Sequence, residues 1–352
     1  MTIADMSQAL GLTKSTVSRA LNGYPDIADA TRLRVTRMAE KMGYRPLSHA
    51  QAIRTGRTKS LGLVIQLSEH DAHRPFLAEF LAGLSLGASA EGYTLTVASS
   101  TSDSDTLLAF QTMLQDRKAD GFVLQRTLRD DPRIRMLRAM EVPFVLFGRT
   151  GDDHGCAWLD VDGEGAIGDA VDRLFALGHR RIGYIGGGLP YNYSALRRGG
   201  FVDAMARNGM AIDADLLREG AVTRADGAAA AAELLDTKAP PTAIVCAVDM
   251  AALGVYNAAA DRGLTVGTEL SVIAYDGIPE GAHMAPALST YAVDFTDCGQ
   301  RLSGFLIRRI QGEAPEKLRE LTTARYLDRG SARAPVCTSA ALAARIAKHH
   351  RT

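Results

Sequence analysis

The stretch GLTKSTVSRALNG, Gly11 to Gly23, decides how the start of the chain is read. Gly11 allows a left-handed turn, and Thr13 is a suitable N-cap for a helix that begins at Lys14. Val17 and Leu21 give that helix one buried side. Lys14, Ser15, Ser18 and Arg19 fall on its polar side, a combination that suits a helix lying on DNA better than one facing only water. Upstream, TIADMSQAL (2–10) sets Ile3, Met6 and Leu10 on one helical face. Downstream, a third helix from about Asp29 to Met42 places Val35, Met38, Ala39 and Met42 at three-to-four spacing, and Gly43 ends it. Two short helices joined by a glycine-containing turn form a helix-turn-helix, and the third closes a small core.

Charge separates this head from the rest. The chain has 352 residues, 46% hydrophobic, with a formal net charge of zero. Residues 1–60 hold ten basic side chains (Lys14, Arg19, Arg32, Arg34, Arg37, Lys41, Arg45, Arg54, Arg57, Lys59) against four acids (Asp5, Asp26, Asp29, Glu40), so a head of +6 precedes a body of −6. That split implies a nucleic-acid-facing head on an acidic body. Cys156, Cys246, Cys298 and Cys337 are far apart and match no metal or redox spacing, as expected of reduced thiols in a cytoplasmic protein. The N-terminus has no basic segment followed by an apolar run, so no signal peptide is expected, and no apolar stretch reaches the length of a membrane span.

From Leu61 the pattern changes. LGLVIQL, YTLTVAS, GFVLQ, VPFVLFG, RIGYIGG, TAIVCAV and LSVIAYD are short apolar runs of the kind buried parallel strands show. Helical segments lie between them, among them Phe76–Glu91, Ala166–Leu177, Gly200–Asn208 and Met250–Arg262. The alternation predicts doubly wound parallel sheets, in two lobes given the number of strands. The expected fold is a small all-α helix-turn-helix head on a two-lobed α/β body. The divisions are residues 1–45 for the head, 46–60 for a hinge helix and linker, 61–331 for the body, and 332–352 for a tail read as a linker followed by a short basic helix or disorder.

These residues resemble the LacI/GalR family of bacterial transcriptional regulators. TVSRALNG and TRLRVTRMAEKMGYRP carry most of the match in the head. TGRTKSLGLVI, VPFVLFGRT, LGHRRIGYIGG, RRGGF, VDMAALGV, SVIAYDGIPEG and DRGS follow in the family's order, so the resemblance covers about residues 2–331. It implies a homodimer whose heads grip a pseudo-palindromic double-stranded DNA operator. It also implies a body like a periplasmic sugar-binding protein, with an effector cleft between two lobes. The chain would cross between the lobes near Asp160–Asp162, near Tyr291 and near Leu321. The tail ALAARIAKHH is too short for three heptads of a tetramer-forming coiled coil, which favours a dimer. No cofactor and no metal is implied.

In the family's arrangement the second helix enters the major groove, and the matching positions here are Lys14, Ser15 and Arg19. Arg19 can fork two hydrogen bonds to guanine O6 and N7; Lys14 offers a single cationic donor to guanine or phosphate. Thr16, Ser18, Asn22 and Thr31 suit phosphates, with Arg32 a weaker candidate. In the hinge PLSHAQAIR, Ile53 takes the place of a leucine that wedges into the minor groove, and Ala50 matches the usual alanine. Gln51 and Leu47 depart from the usual Arg and Asn.

In the body, Arg197 matches an arginine that points into the cleft, Asp249 an aspartate that accepts hydroxyl hydrogen bonds, and Asp276 a carboxylate near the cleft rim. A planar guanidinium with carboxylates suits adjacent sugar hydroxyls. Phe76 matches a cleft-facing aromatic, and Gln125 and Thr127 follow the C-terminal end of a strand, the usual ligand edge. Val222 and Val248 stand where many members have an aromatic and an Asn, so stacking must come from elsewhere. HGCAWLDVDGEG resembles a segment of glucoside-responsive members, which would put Trp158 or Asp160 at the cleft mouth.

The resemblance thus implies a repressor of carbohydrate-utilisation genes released by a sugar or glucoside. A nucleobase or nucleoside effector is the alternative within the family, and a sugar-binding protein without a regulatory role the alternative outside it. GYIGGG lacks the spacing and the Lys-Ser/Thr of a phosphate loop. His70 and His73 form an H-x-x-H that reads as a loop rather than a metal site. The acidic residues Asp152, Asp153, Asp160, Asp162 and Glu164 read as loop charge, with hinge capping or hydroxyl binding as the functional alternative. No nucleophile elbow is present, so the chain is not expected to be an enzyme.

Overall fold

The computed structural model describes residues 2–44, 57–67, 75–188 and 190–350. The hinge candidates Ala50 and Ile53 lie outside the described residues, as do His70 and His73. The chain divides into two units, residues 1–59 and 60–352.

The first unit contains α1 (Ile3–Leu10), α2 (Lys14–Leu21) and α3 (Asp29–Met42). A capping box starts α1: Thr2 Oγ1 accepts from the Asp5 amide, and Asp5 Oδ2 accepts from the Thr2 amide at 2.7 Å. Gly11, at φ 64°, ends it in the left-handed conformation, and Thr13 caps α2 by accepting from the Thr16 amide at 3.1 Å. Met6, Val17, Ala20, Val35 and Ala39 form the core. Arg32 donates to the carbonyls of Tyr24 and Ile27 and so staples the turn before α3.

The second unit holds two six-stranded sheets. Sheet one runs β11-β5-β4-β3-β1-β2, with β1 Ser60–Gln66, β2 Thr94–Ser100, β3 Gly121–Leu124, β4 Phe144–Phe147, β5 Ala157–Val161 and β11 Arg319–Thr322, all parallel. Sheet two runs β12-β10-β9-β8-β6-β7, with β6 Ile182–Ile185, β7 Leu217–Arg218, β8 Ala243–Cys246, β9 Ser271–Asp276, β10 Ser289–Ala292 and β12 Arg325–Leu327; only β12 is antiparallel. Strands β3, β6 and β8 are buried along their whole length, which is why they read as unbroken apolar runs.

The chain passes between the sheets three times: between β5 and α7 (Gly163–Ala176), between β10 and α11 (Phe295–Ile310), and between β11 and β12. Helix α11 belongs to the first lobe because it packs closely on α4 (Pro75–Ala90). At Gly83 a Cβ would come within 2.2 Å of the Thr296 carbonyl, so only glycine permits this approach. The second lobe is completed by α8 (Asn192–Arg207), α9 (Arg224–Leu235) and α10 (Asp249–Ala260). Helix α8 starts eight residues before the segment read from Gly200.

The tail ends in α12 (Ser339–His349), capped by Thr338. Leu342 and Ile346 are buried in the second lobe's cluster with Ala258, Ala259 and Leu264, and Arg345 pairs with Glu269 at 3.0 Å. The tail is therefore a docked helix, and its apolar i, i+4 pair is used within its own chain. All four cysteines are free thiols. Among the described residues no helix is long and apolar enough to cross a membrane, and no cluster could hold a metal ion.

Candidate functional site

A cavity of about 1060 Å³, solvent at its mouth included, lies between the two lobes at the C-terminal ends of β3, β4, β5 and β9. Phe76, Gln125, Thr127, Asp160, Arg197 and Asp276 all line it, as do Val222 and Val248. Two aromatic groups face it. The rings of Phe76 and Phe295 lie 5.1 Å apart, with Phe147 edge-on to Phe295 at 6.2 Å. Tyr193 and Tyr275 flank the Arg197 guanidinium at 4.8 and 3.8 Å. These rings give the cavity the aromatic surface that Val222 does not.

Arg197 comes from α8 and crosses Gly163 at the first residue of α7, where a Cβ would stand 3.0 Å from its Nε. It donates to the Ala247 carbonyl at 2.6 Å and lies 3.7 Å from Asp276. Asp276 has φ 127°, a strained value for a residue with a side chain. The strain is held by Asp249, whose carboxylate accepts from the amides of Gly277 (2.8 Å) and Ile278 (2.9 Å) and from Thr290 Oγ1 (2.7 Å).

Two of the sequence-based assignments are corrected here. Asp249 does not line the cavity: its neighbours Val248 and Met250 do, while its carboxylate is turned away and committed to the 277–278 turn. Trp158 shares a strand face with Asp160 but sits two residues deeper, mid-sheet, between Leu146 and Arg319. There it packs in the first lobe's outer core, and its Nε1 donates to Asp153 at 3.2 Å. Of the acidic residues, Asp162 caps α7 through the Gly165 amide, and Asp160 and Glu164 belong to the cleft.

Sequence reasoning missed Arg149, Phe147, Tyr193 and Phe295, and gave Glu164 only as one of an acidic cluster read first as loop charge. Arg149 Nε donates to Asp160 at 2.7 Å and its NH2 to Glu164 at 2.6 Å, so one guanidinium ties the first lobe to α7 of the second. Opposite this, Asn192 donates from its amide to the Thr127 carbonyl (2.9 Å) and from Nδ2 to the Arg149 carbonyl (3.0 Å), while Leu128 and Tyr191 form a bridge. The lobes are thus latched across the cavity by named hydrogen bonds. Arg149 follows β4 as Gln125 and Thr127 follow β3, and the rule that ligands sit at strand C-termini, applied to every strand, would have found it.

Burial pushes Asp276 from 3.8 up to about 7, opposed by Arg197, and burial likewise lifts Asp249 to about 6 against its three donors. Folded Asp276 therefore keeps its proton through a range where the unfolded chain has released it. Its contribution to stability declines as pH rises from about 4 to about 7. Asp276→Asn cannot titrate, so it should gain stability relative to wild type with rising pH, by on the order of 2–4 kcal/mol between pH 5 and 8. Urea unfolding of both proteins at the two pH values measures this; parallel curves would contradict it.

In the head, Lys14, Ser15 and Arg19 are exposed, and Thr16, Ser18, Asn22 and Thr31 are half-buried. Burial of Val17 and Ala20 fixes which side of α2 faces out. Arg19 forms an ion pair with Asp26, and its guanidinium lies 5.3 Å from the Tyr24 ring centroid. Asn22 Nδ2 donates to Ser18 Oγ at 3.3 Å.

Comparison with known proteins agrees with this architecture. The family profile "Bacterial regulatory proteins, lacI family" matches residues 2–47, and "Periplasmic binding protein-like domain" matches residues 171–332. The HTH-type transcriptional regulator AglR of Rhizobium meliloti (strain 1021) is 35% identical over 340 residues, covering 94% of this chain and 93% of that protein. The solved transcriptional regulator CelR–cellobiose complex is similar at 27% identity and TM-score 0.73, covering 94% and 99% of the two chains. The lac repressor dimer bound to operator shares the fold at TM-score 0.80 and 24% identity, covering 95% of this chain and 99% of that one. Proteins of this kind are DNA-binding regulators rather than enzymes. The chain belongs to the lacI family of bacterial regulatory proteins, transcriptional regulators that join a helix-turn-helix head to a two-lobed, periplasmic-binding-protein-like body.

Proposed function

We propose that the protein is a homodimeric repressor of carbohydrate-utilisation genes that leaves a pseudo-palindromic operator when a sugar fills the cleft. The observation that carries the sugar reading is the pairing of an aromatic wall, Phe76, Phe147 and Phe295, with a polar rim of Gln125, Arg149, Asp160, Glu164, Arg197 and Asp276. A pyranose presents an apolar ring face and a hydroxyl edge, and this cleft offers a surface for each. The resemblance to a regulator solved with cellobiose supports the same class. Lys14, Ser15 and Arg19 would read base edges, Thr16, Ser18, Asn22 and Thr31 would hold phosphates, and Ala50 and Ile53 would serve the hinge.

The mechanism is a linkage. Effector contacts with both lobes favour one lobe angle, and that angle sets how the two heads of a dimer are spaced. A ~100-fold difference in effector affinity between the two states supplies about 2.7 kcal/mol per site.

Fluorescence anisotropy on a labelled fragment of the gene's own upstream DNA, at fixed salt, tests this with a panel of monosaccharides, disaccharides and glucosides beside adenosine and cytidine. Tight binding relieved by one sugar is expected. Relief by a nucleoside alone would overturn the sugar reading, and equal competition by random-sequence DNA would overturn the operator reading.

A further inference from the structure

One side of the cleft is joined by bonds between protein groups alone. Helix α8 begins at Asn192, and its N-cap residue, Tyr191, offers no side-chain cap. The first amide of a helix has no partner within the helix. Here the opposite lobe supplies one: the Asn192 amide donates to the Thr127 carbonyl at 2.9 Å. The side chain reaches a second loop, with Nδ2 donating to the Arg149 carbonyl at 3.0 Å. Leu128 and Tyr191 add a bridge alongside, and the Arg126 guanidinium lies 5.0 Å from the Tyr191 ring centroid. Asn192 is only 6% exposed, so water competes poorly for these bonds.

The first lobe holds the two acceptors in place with its own bonds. Thr127 Oγ1 donates to the Arg149 carbonyl, and Thr150 Oγ1 donates to the Leu128 carbonyl at 2.7 Å. Arg133 holds the Gln125 and Arg126 carbonyls at 3.1 Å each and pairs with buried Asp131. Asn192 does not line the cavity, whereas Tyr193 and Arg197 of the same helix do. A change at Asn192 therefore acts on how the lobes meet and leaves the effector's own contacts in place.

Resting on the reading of the protein as a repressor released by a sugar, we infer that Asn192 clasps the two lobes together independently of effector. The clasp weakens the hold on the operator. An effector that touches both lobes favours their approach, and the clasp favours the same approach. By linkage, whatever stabilises the released arrangement lowers operator affinity, whether a sugar or a hydrogen bond supplies the free energy. Asn192 is thus a positioning residue. It sets how far the equilibrium already lies toward release, and so how much sugar completes it.

Two variants of the full-length protein test this. Asn192→Ala removes the Nδ2 donor, and Asn192→Asp replaces it with an acceptor facing the Arg149 carbonyl. Aspartate suits the first turn of a helix, and thermal unfolding checks that both variants fold. Hydrogen exchange of the position-192 amide, without sugar or DNA, reads the clasp directly. The amide should be protected in wild type and lose about three- to tenfold of that protection in the variants, the range for one net hydrogen bond. Anisotropy on the labelled upstream fragment, at fixed salt, should show both variants binding about three- to tenfold more tightly, with random duplex unchanged. An unprotected amide in wild type overturns the clasp, as does full protection in both variants. Lost protection with unchanged operator affinity overturns the coupling of the clasp to DNA and leaves the sugar reading standing. Lost protection with weaker operator binding reverses the sign, and release by a sugar fails together with the inference. Equal binding of fragment and random duplex by wild type overturns the operator reading and the inference with it.

Discussion

Asp249→Ala is expected to destabilise the protein by about 3 kcal/mol or more, from the orphaning of three buried donors at about 1–3 kcal/mol each. Asp249 is fully buried, and its two oxygens take the amides of Gly277 and Ile278 and the hydroxyl of Thr290. No water can replace an acceptor there without room being made for it. Asp249→Asn separates the acceptor role from the charge. Its amide oxygen can still accept from the two backbone N–H groups, and its N–H can donate to the threonine oxygen. Because burial already opposes the charged form of Asp249, the Asn variant should lie much closer to wild type than the Ala variant, and closest above pH 6. The damage in Asp249→Ala should also reach the cleft. The turn it staples begins at Asp276, whose φ of 127° persists only while the next two residues are held. Urea unfolding of the three proteins, followed by effector titration of the folded ones, separates the possibilities. If Asp249→Ala is as stable as wild type and only effector binding is lost, the carboxylate is a ligand group and the staple account is wrong.

The same residue shows where sequence reading stopped. That Asp249 opens a helix after a buried strand is legible, because AIVC is an apolar run and the polar residue follows its C-terminal end. Which way the carboxylate turns is not, since the donors that claim it lie 28 and 29 residues further on, past the helix it opens and the next strand. Trp158 teaches the complementary point. Period-two alternation correctly puts it on the face of Asp160. Its depth depends on cross-strand register with Leu146 and Arg319, which no local pattern encodes. Seven strands, β1–β4, β6, β8 and β9, were readable as apolar runs, most of them because parallel strands buried on two faces leave such runs, whereas β5, β7, β10, β11 and β12, short or mixed in polarity, were not. Helix α11 was harder: it packs on α4, more than two hundred residues earlier in the chain. Phe295, at its start, therefore reaches a cavity whose other aromatics come from distant segments. Arg149 and Glu164 carry ordinary loop and helix-start signals, and only the fold brings them to one point.

Affinity for operator DNA is expected to fall on the order of a thousandfold between 50 and 200 mM salt, and Arg19→Ala to remove a further 10- to 100-fold for the specific site alone. The two effects have different physical origins. Salt dependence comes from counterions released where the Lys and Arg side chains of the basic head neutralise phosphates, a term that does not read sequence; the uncharged Thr16, Ser18, Asn22 and Thr31, proposed above as phosphate ligands, would add hydrogen bonds but little salt slope. Arg19 instead stands on the exposed side of α2, one turn beyond Lys14 and Ser15, where a guanidinium fork can meet a guanine edge. In the free protein that fork is held by Asp26 and lies near Tyr24. Both partners of the ion pair are 47% exposed, so exchanging Asp26 for a base costs little. The ion pair can thus hold the fork in one orientation before DNA arrives, which limits the rotamer entropy lost on binding. Anisotropy titrations of wild type and Arg19→Ala, on the upstream fragment and on random duplex across the salt series, separate the roles. A base-reading Arg19 predicts that the variant loses affinity on the fragment, changes little on random duplex, and keeps nearly the same salt slope. An equal loss on both duplexes, with the slope reduced by about one, would make Arg19 a phosphate ligand and move sequence reading to Lys14 and Ser15.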